Sequence, residues 1–253
     1  MPAAESAGAG AKPIDIQDIL KASKAKISPS QTDYVDRLEH SVVRGDVKEQ
    51  QLKAFRQLAA FWKDSVQNGF LPFAYYNGQI AKLENSEKNL TFAAQLFLEN
   101  LRLLDDPTLK SWMATQAKEL FKQALVINPD NDSSKIGLGA SYIFGSNAGN
   151  PQEVMQGIQQ ILEVSRRDST NMYAQFMLGL GGAVSGQYDK AIERLTKVVQ
   201  HQPDNLEAIM KLAEINEQKG NKQEAVKWYV ESKKWVTDPA ATKEINIRIK
   251  SLQ

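Results

Sequence analysis

An internal repeat of 34 residues is the feature of this chain that most restricts its fold. Residues 173–205 align without gaps with residues 207–239, and five aligned pairs keep either a small or a large apolar side chain. The pairs are Leu178 and Leu212, Gly179 and Ala213, Gly186 and Gly220, Ala191 and Ala225, and Leu195 and Tyr229. A fixed period of this length indicates one supersecondary unit that cannot bury its apolar face alone and that is stabilised by stacking on its neighbours.

The period and these residue types resemble the tetratricopeptide repeat (TPR), which is a pair of antiparallel helices. In that family, small residues at positions 8 and 20 lie where the two helices cross, a glycine near position 15 serves the turn, and a proline near position 32 ends the second helix. The resemblance implies an all-α fold, an α-solenoid of about five TPR-like helix hairpins with helical caps at both ends.

Extending the pattern towards the N-terminus predicts the five hairpins. Gly139 and Gly157 fall on positions 8 and 20 of the third one, whereas Trp62 falls on the usually small position of the first. The predicted repeats cover residues 55–88, 89–131, 132–171, 172–205 and 206–239.

Both flanks predict helices. Residues 240–253 carry Ile245, Ile249 and Leu252 at helical spacing, and residues 30–54 also have helical patterns, so we expect them to cap the ends of the repeat array. Residues 1–29 are predicted to be a flexible, small-residue tether that carries a short amphipathic helix. That helix is expected to pack on the first repeat, to stay mobile, or to dock on another copy of the chain.

The small-residue start allows two interpretations. It is either a disordered terminus or, by resemblance to bacterial TPR proteins that carry an N-terminal anchor, the remainder of a linker that follows a membrane segment. No run in the sequence approaches the ~18 apolar residues of a membrane span, so we expect a soluble chain whose only link to a membrane is such an anchor. The compartment is not determined by these residues.

Several kinds of chemistry are disfavoured by composition and motif. The net charge of +1 gives no field that attracts nucleic acid, and the absence of cysteine excludes thiolate zinc sites and a cysteine nucleophile. The glycines of residues 137–139 and 179–186 lack the spacing and preceding strand of a dinucleotide loop. With only two histidines, His40 and His201, we expect no catalytic residue, no metal site, no cofactor and no small-molecule substrate.

The predicted functional surface follows from the TPR resemblance. In TPR proteins the first helix of each hairpin lines a concave groove, and positions 2, 5, 9, 12 and 13 commonly face it. The predicted partner-binding residues in this chain are Ile136, Ala140, Ile143, Phe144, Tyr173, Phe176, Leu180, Val184, Met210 and Glu214. Apolar area of that size is unusual on a soluble surface unless it is covered, either by a partner's peptide or helix or by the chain itself.

The predicted groove and the missing catalytic motifs leave three functions to consider. The preferred one is a non-catalytic scaffold or adaptor that binds a peptide or helix of another protein in the apolar groove. The alternative is a self-associating assembly protein in which the N-terminal segment of one chain fills the groove of another, giving a homo-oligomer. An enzyme on a helical scaffold is disfavoured because the sequence offers no converging cluster of ionisable side chains.

Overall fold

The computed structural model of the chain describes residues 14–44, 47–64, 69–145 and 150–253. These residues form thirteen α-helices and no β-strand, which confirms the predicted all-α class and the helix-hairpin architecture with helical caps. The helices are α1 (Ile16–Lys24), α2 (Pro29–Arg44), α3 (Lys48–Asp64), α4 (Phe70–Glu84), α5 (Glu87–Leu101), α6 (Pro107–Ile127), α7 (Asp132–Gly145), α8 (Pro151–Arg167), α9 (Met172–Val184), α10 (Tyr188–His201), α11 (Leu206–Gln218), α12 (Lys222–Ser232) and α13 (Pro239–Leu252).

The chain divides into two compact units, and the boundary falls inside α7, after Gly137. The first unit contains the antiparallel contacts of α3 with α4 and of α5 with α6, and the second those of α9 with α10 and of α11 with α12. None of the helices in the described ranges is both long and apolar enough to cross a lipid bilayer.

In the first unit, α1 and α2 pack on the pair formed by α3 and α4. Leu20 of α1, Val35 of α2, Trp62 of α3 and Tyr76 of α4 are buried in one apolar cluster. This cluster explains how Trp62 is accommodated at a position that is small in the family, since its indole is 1% exposed among neighbours from preceding helices.

The third helix begins upstream of residue 55, where the first repeat was expected to start. Buried or half-buried apolar residues at Leu52, Phe55, Leu58 and Trp62 recur every three or four positions, so one continuous helix places them on one face. Residues 48–54, expected within the N-terminal cap, therefore belong to α3.

Glycines set the close helix crossing in the second unit. A Cβ atom added to Gly157 of α8 would lie 2.3 Å from the carbonyl oxygen of Gly139, and one added to Gly139 would lie 2.7 Å from the carbonyl oxygen of Gly157. The two backbones thus meet at the two positions that the repeat pattern predicts to be small.

Asparagine side chains cap the N-terminus of the first helix in three consecutive hairpins. The Oδ1 atoms of Asn131, Asn171 and Asn205 each accept a hydrogen bond from the backbone N–H three residues later, at 2.8, 3.0 and 3.0 Å. Each bond satisfies one of the N–H groups that a helix start leaves without an intrahelical acceptor.

The last two hairpins turn at equivalent glycines. Gly186 and Gly220 have φ angles of 73° and 77°, the left-handed conformation that favours glycine. Beyond the last hairpin, Ile245 of α13 is buried with Ala213, Ala225 and Tyr229, so α13 covers the apolar side of the hairpin formed by α11 and α12.

Candidate functional site

The residues predicted on α7 differ in exposure. Ile136, in the first unit, is 1% exposed. In the second unit, Ala140 and Ile143 are also buried, whereas Phe144 is half-buried. Ile143 is buried because α9 approaches it closely: a Cβ atom on Gly181 would lie 2.9 Å from its Cδ1 atom. Its side chain therefore fills the contact between two helices.

The predicted residues of α9 are divided in the same way. Phe176 and Leu180 are buried, at 8% and 4% exposure, whereas Tyr173 is half-buried and Val184 is 55% exposed. Tyr173 lies in the first turn of α9 and Val184 is its last residue, so the middle of the helix packs inward and its two ends keep exposed surface.

On α11, both predicted residues remain accessible. Met210 is half-buried and packs at the edge of the cluster that holds Ala213 and Tyr229. Glu214 is half-buried and forms an ion pair with Lys211 one turn earlier. The exposed part of the predicted surface therefore consists of Phe144, Tyr173, Val184, Met210 and Glu214.

A polar network holds α9 against α8 and α10. The buried Gln175 of α9 donates from Nε2 to Ser165 Oγ of α8 at 3.1 Å and accepts at Oε1 from Arg194 Nη1 of α10 at 2.6 Å. Burial lowers the pKa of the Arg194 guanidinium, which stays charged because the pKa of arginine lies far above neutrality. This network anchors α9 to both neighbouring helices two residues after Tyr173.

The C-terminal side of α11 is held by a second network. Glu217 Oε2 accepts from Tyr229 Oη at 2.8 Å and lies 3.2 Å from Nε of Arg248 on α13. The carboxylate of Glu217 is thus shared between α12 and α13, which ties α13 to the C-terminal turn of α11.

Groups that support catalysis elsewhere have structural contacts here. Nδ1 of His40 bonds to the carbonyl oxygen of Asp36, and Nδ1 of His201 bonds to that of Lys197. Asp106 caps α6 by accepting from the N–H groups of Thr108 and Leu109. In the part of the chain that the structure describes, no three His, Asp or Glu side chains are grouped as metal ligands.

Some exposed apolar side chains were not anticipated from the sequence. In the first unit Phe92 is 53% exposed on α5, and Leu103 and Val126 are more than 80% exposed. In the second unit Trp235 follows α12 with 42% exposure. They fall outside the five groove positions of the repeat, so the register that predicted the groove gave no signal for them.

Comparison with known proteins supports the same architecture. The sequence model of the tetratricopeptide repeat family matches residues 185–241. Among solved structures, PilW, described as a widely conserved type IV pilus biogenesis factor, is 18% identical; the match covers 80% of this chain and 86% of PilW with a TM-score of 0.56. MamA 41-end from Desulfovibrio magneticus RS-1 is 18% identical, with coverage of 76% and 96% and a TM-score of 0.50.

A third structure, TTC0263, is a thermophilic TPR protein in Thermus thermophilus. It is 18% identical to this chain, and the match covers 81% of this chain and 98% of that one with a TM-score of 0.46. No curated protein sequence matches the chain. At 18% identity, the likeness to PilW and to MamA 41-end shows the fold alone.

Antiparallel helix pairs that cross at small residues, with inner-helix side chains left accessible, define a helical repeat protein of the α-solenoid class. The 34-residue period and the family match then specify the kind of repeat: the chain carries tetratricopeptide repeats, which the family model matches over residues 185–241. Arrays of this repeat bind other proteins.

Proposed function

We propose that this protein is a non-catalytic scaffold that binds a peptide or an amphipathic helix of another protein along α9 and α11. The observation that carries the proposal is the exposure of apolar side chains at groove positions of both helices. Tyr173 and Met210 are half-buried and Val184 is 55% exposed, whereas Phe176, Leu180 and Ile209 of the same helices are buried.

The chemistry of these residues favours an apolar partner segment with some positive charge. Tyrosine supplies a large, rigid contact area with few rotatable bonds, and methionine adapts its shape to different side chains. Glu214 borders Met210 on the same helix, and Glu207 is exposed in the first turn of α11. A helix with one apolar stripe and flanking lysines or arginines complements this arrangement.

The buried members of the predicted set support the site indirectly. Phe176 and Leu180 are buried on the same helix as Tyr173, and the hydrogen bonds of Gln175 hold α9 in place. A contact surface on a helix whose rotation is fixed loses little conformational entropy when a partner binds.

Site-specific photocrosslinking tests the proposal. A photoreactive phenylalanine analogue replaces Val184 on α9 or, as the matched control, Val230 on α12, since the two valines are 55% and 50% exposed in the same unit. In cells of the source organism, we expect one defined crosslinked protein from position 184 and none of that size from position 230.

The crosslink must also depend on the neighbouring surface. Tyr173→Ala is expected to reduce it about tenfold, because truncation of an aromatic anchor commonly costs about 1–2 kcal/mol of binding. Equal crosslinking from both positions, or a product that Tyr173→Ala leaves unchanged, would refute the groove as the binding surface.

The self-associating alternative concerns the N-terminal segment. Ile19 and Leu20 of α1 are buried in the first unit, and Lys24 lies 2.9 Å from Asp36 and 2.8 Å from Glu39 of α2. In this alternative the N-terminal segment of one chain leaves these contacts and fills the groove of another copy. Light scattering of the full chain and of a chain that begins at Ser30 tests it: equal monomer masses reject self-association, and a dimer of the full chain alone supports it.

A further inference from the structure

A pocket of about 300 Å³ lies in the first unit, between α1, α2, α3 and α4. Its walls include the apolar residues Leu20, Val42, Phe55 and Leu58, and the rings of Tyr75 and Tyr76. This volume is at the lower end of the range for binding pockets and suits a single side chain better than a cofactor.

The polar part of the pocket includes the carboxylate of Glu39, the imidazole of His40 and the amide of Gln17. Glu39 lines it, and each oxygen of its carboxylate has one donor: Oε1 accepts from Tyr76 Oη at 2.6 Å and Oε2 from Lys24 Nζ at 2.8 Å. An ionised carboxylate has about four lone-pair sites, so Glu39 retains acceptor capacity. Lys24 also pairs with Asp36, so two carboxylates share one ammonium and the local charge is negative.

His40 adds an imidazole ring to the lining. Its Nδ1 lies 2.6 Å from the carbonyl oxygen of Asp36. A carbonyl oxygen only accepts, so Nδ1 carries a proton, and in that tautomer Nε2 is an acceptor.

Aromatic rings complete the lining. Tyr75 and Tyr76 are in edge contact with ring centroids 5.2 Å apart, and Phe55 lies 6.0 Å from Tyr76. Ring faces attract cations through their quadrupole. Burial and then the charge of Glu39 raise the pKa of Tyr75, which keeps its hydroxyl neutral.

We propose that this pocket binds the alkylammonium side chain of a lysine from a partner polypeptide, in addition to the groove on α9 and α11. The apolar walls contact the methylene stem, while Glu39, His40 and the tyrosine rings surround the ammonium group. Lysine fits better than arginine because a guanidinium prefers both carboxylate oxygens at once, and each oxygen of Glu39 already has a donor.

The test titrates the full chain with Nα-acetyl-lysine methylamide at constant ionic strength. Binding is followed by calorimetry and by the NMR shifts of the Leu20 and Leu58 methyl groups, which report on this pocket. For a ligand of this size a Kd of about 1 mM is expected. The norleucine analogue has the same stem without the charge and should bind about tenfold more weakly or not at all.

Two variants assign the interaction to named groups. Glu39→Gln keeps the size of the side chain and removes its charge, and should weaken lysine binding about tenfold. Glu99→Gln makes the same charge change at an exposed position of α5 and should leave binding unchanged. If Glu39→Gln lowers the melting temperature enough to obscure binding, Tyr75→Leu provides the second test, with an expected loss of about threefold.

Three results would overturn the proposal. Equal binding of the lysine and norleucine probes means that the pocket recognises only apolar groups. Tighter binding of Nα-acetyl-arginine methylamide means that the cation is a guanidinium. Absence of saturation up to about 20 mM, or methyl shifts elsewhere than Leu20 and Leu58, means that the lysine side chain does not occupy this pocket.

Discussion

Replacement of Gly157 by alanine tests whether the helix crossing in the second unit requires glycine. A Cβ atom there would lie 2.3 Å from the carbonyl oxygen of Gly139, 2.9 Å from Cγ1 of Ile143 and 3.1 Å from Cβ of Tyr142. The nearest atom belongs to the backbone of α7, so relief of the overlap requires the two helices to separate.

The expected magnitude combines two opposing effects. Alanine in a helix interior is more favourable than glycine by about 1 kcal/mol, whereas forcing an extra carbon into a packed contact costs about 1–3 kcal/mol. The upper end of that range applies here because the nearest atom belongs to the backbone. Gly157→Ala should therefore lower the free energy of unfolding by about 2 kcal/mol.

Gly78→Ala is the matched control. Gly78 is buried in the interior of α4, but an added Cβ atom would lie 3.7 Å from both Leu120 and Phe97, which is ordinary contact. This variant should gain most of the helix preference and become more stable by about 0.5–1 kcal/mol. The two substitutions are the same chemically, and the structure predicts opposite signs.

Urea unfolding followed by far-ultraviolet circular dichroism measures both variants, and the m-values are compared to detect a change in unfolding mechanism. The reasoning is refuted if Gly157→Ala is as stable as the parent chain, or if both variants shift in the same direction. Either result would mean that α7 and α8 do not pack as closely as described.

Three further predictions use burial and protonation. Ile245 is 4% exposed, and Ile245→Ala should lower the free energy of unfolding by about 2–4 kcal/mol. Ile247 on the same helix is 62% exposed, and Ile247→Ala should change that free energy by no more than about 0.5 kcal/mol. Equal effects of the two substitutions in urea unfolding would contradict the placement of α13. Phe176→Ala should lower the free energy of unfolding by about 3–5 kcal/mol because the ring is buried, whereas Tyr173→Ala, at a half-buried position, should lower it clearly less. If Phe176→Ala unfolds no more easily than Tyr173→Ala, Phe176 is not in the core. Burial and, after it, the hydrogen bond to Glu39 raise the pKa of Tyr76 far above its usual value of about 10. The unfolded chain therefore loses the Tyr76 proton at a lower pH than the folded chain, and the free energy of unfolding falls as the pH rises above about 10. The stability of Tyr76→Phe, measured by urea unfolding between about pH 9 and 11, should fall less steeply than that of the parent chain, by up to about 1.4 kcal/mol per pH unit. Parallel pH curves for the two chains would contradict this origin of the pH dependence.

The hairpin architecture could be predicted because its determinants are local in sequence. Small residues such as Gly139 and Gly157 recur at fixed spacing, and the turn glycines Gly186 and Gly220 repeat with the same period. Helix periodicity and close crossing are properties of one hairpin, so the sequence of that hairpin is enough to indicate them.

The exposure of individual groove residues could not be predicted in the same way. Phe176 and Met210 occupy the same repeat position, yet Phe176 is buried and Met210 is half-buried. The difference depends on which neighbouring helices cover each one, and a repeat register does not contain that information. The ten groove residues therefore remain a prediction as a binding surface, although their positions in the helices are now described.

The pocket of the first unit could not be predicted from sequence patterns for a similar reason. Glu39 and Tyr76 are bonded across 37 positions, and Glu39 belongs to α2, which lies outside the predicted repeats. Such a pair becomes visible only after α1 and α2 have been packed on α3 and α4.

The asparagine caps at Asn131, Asn171 and Asn205 also affect how the chain folds during synthesis. Each cap bonds to a residue three positions later, and each helix of the last hairpins packs on its neighbour in sequence, so few contacts join distant segments. Chains with low contact order fold in microseconds to milliseconds. A ribosome adds 34 residues in about 2–7 s, and a hairpin that has left the exit tunnel has time to form before the next one is complete. The last hairpins are then added in order to a folded template, which limits the exposure of their apolar faces in the cell.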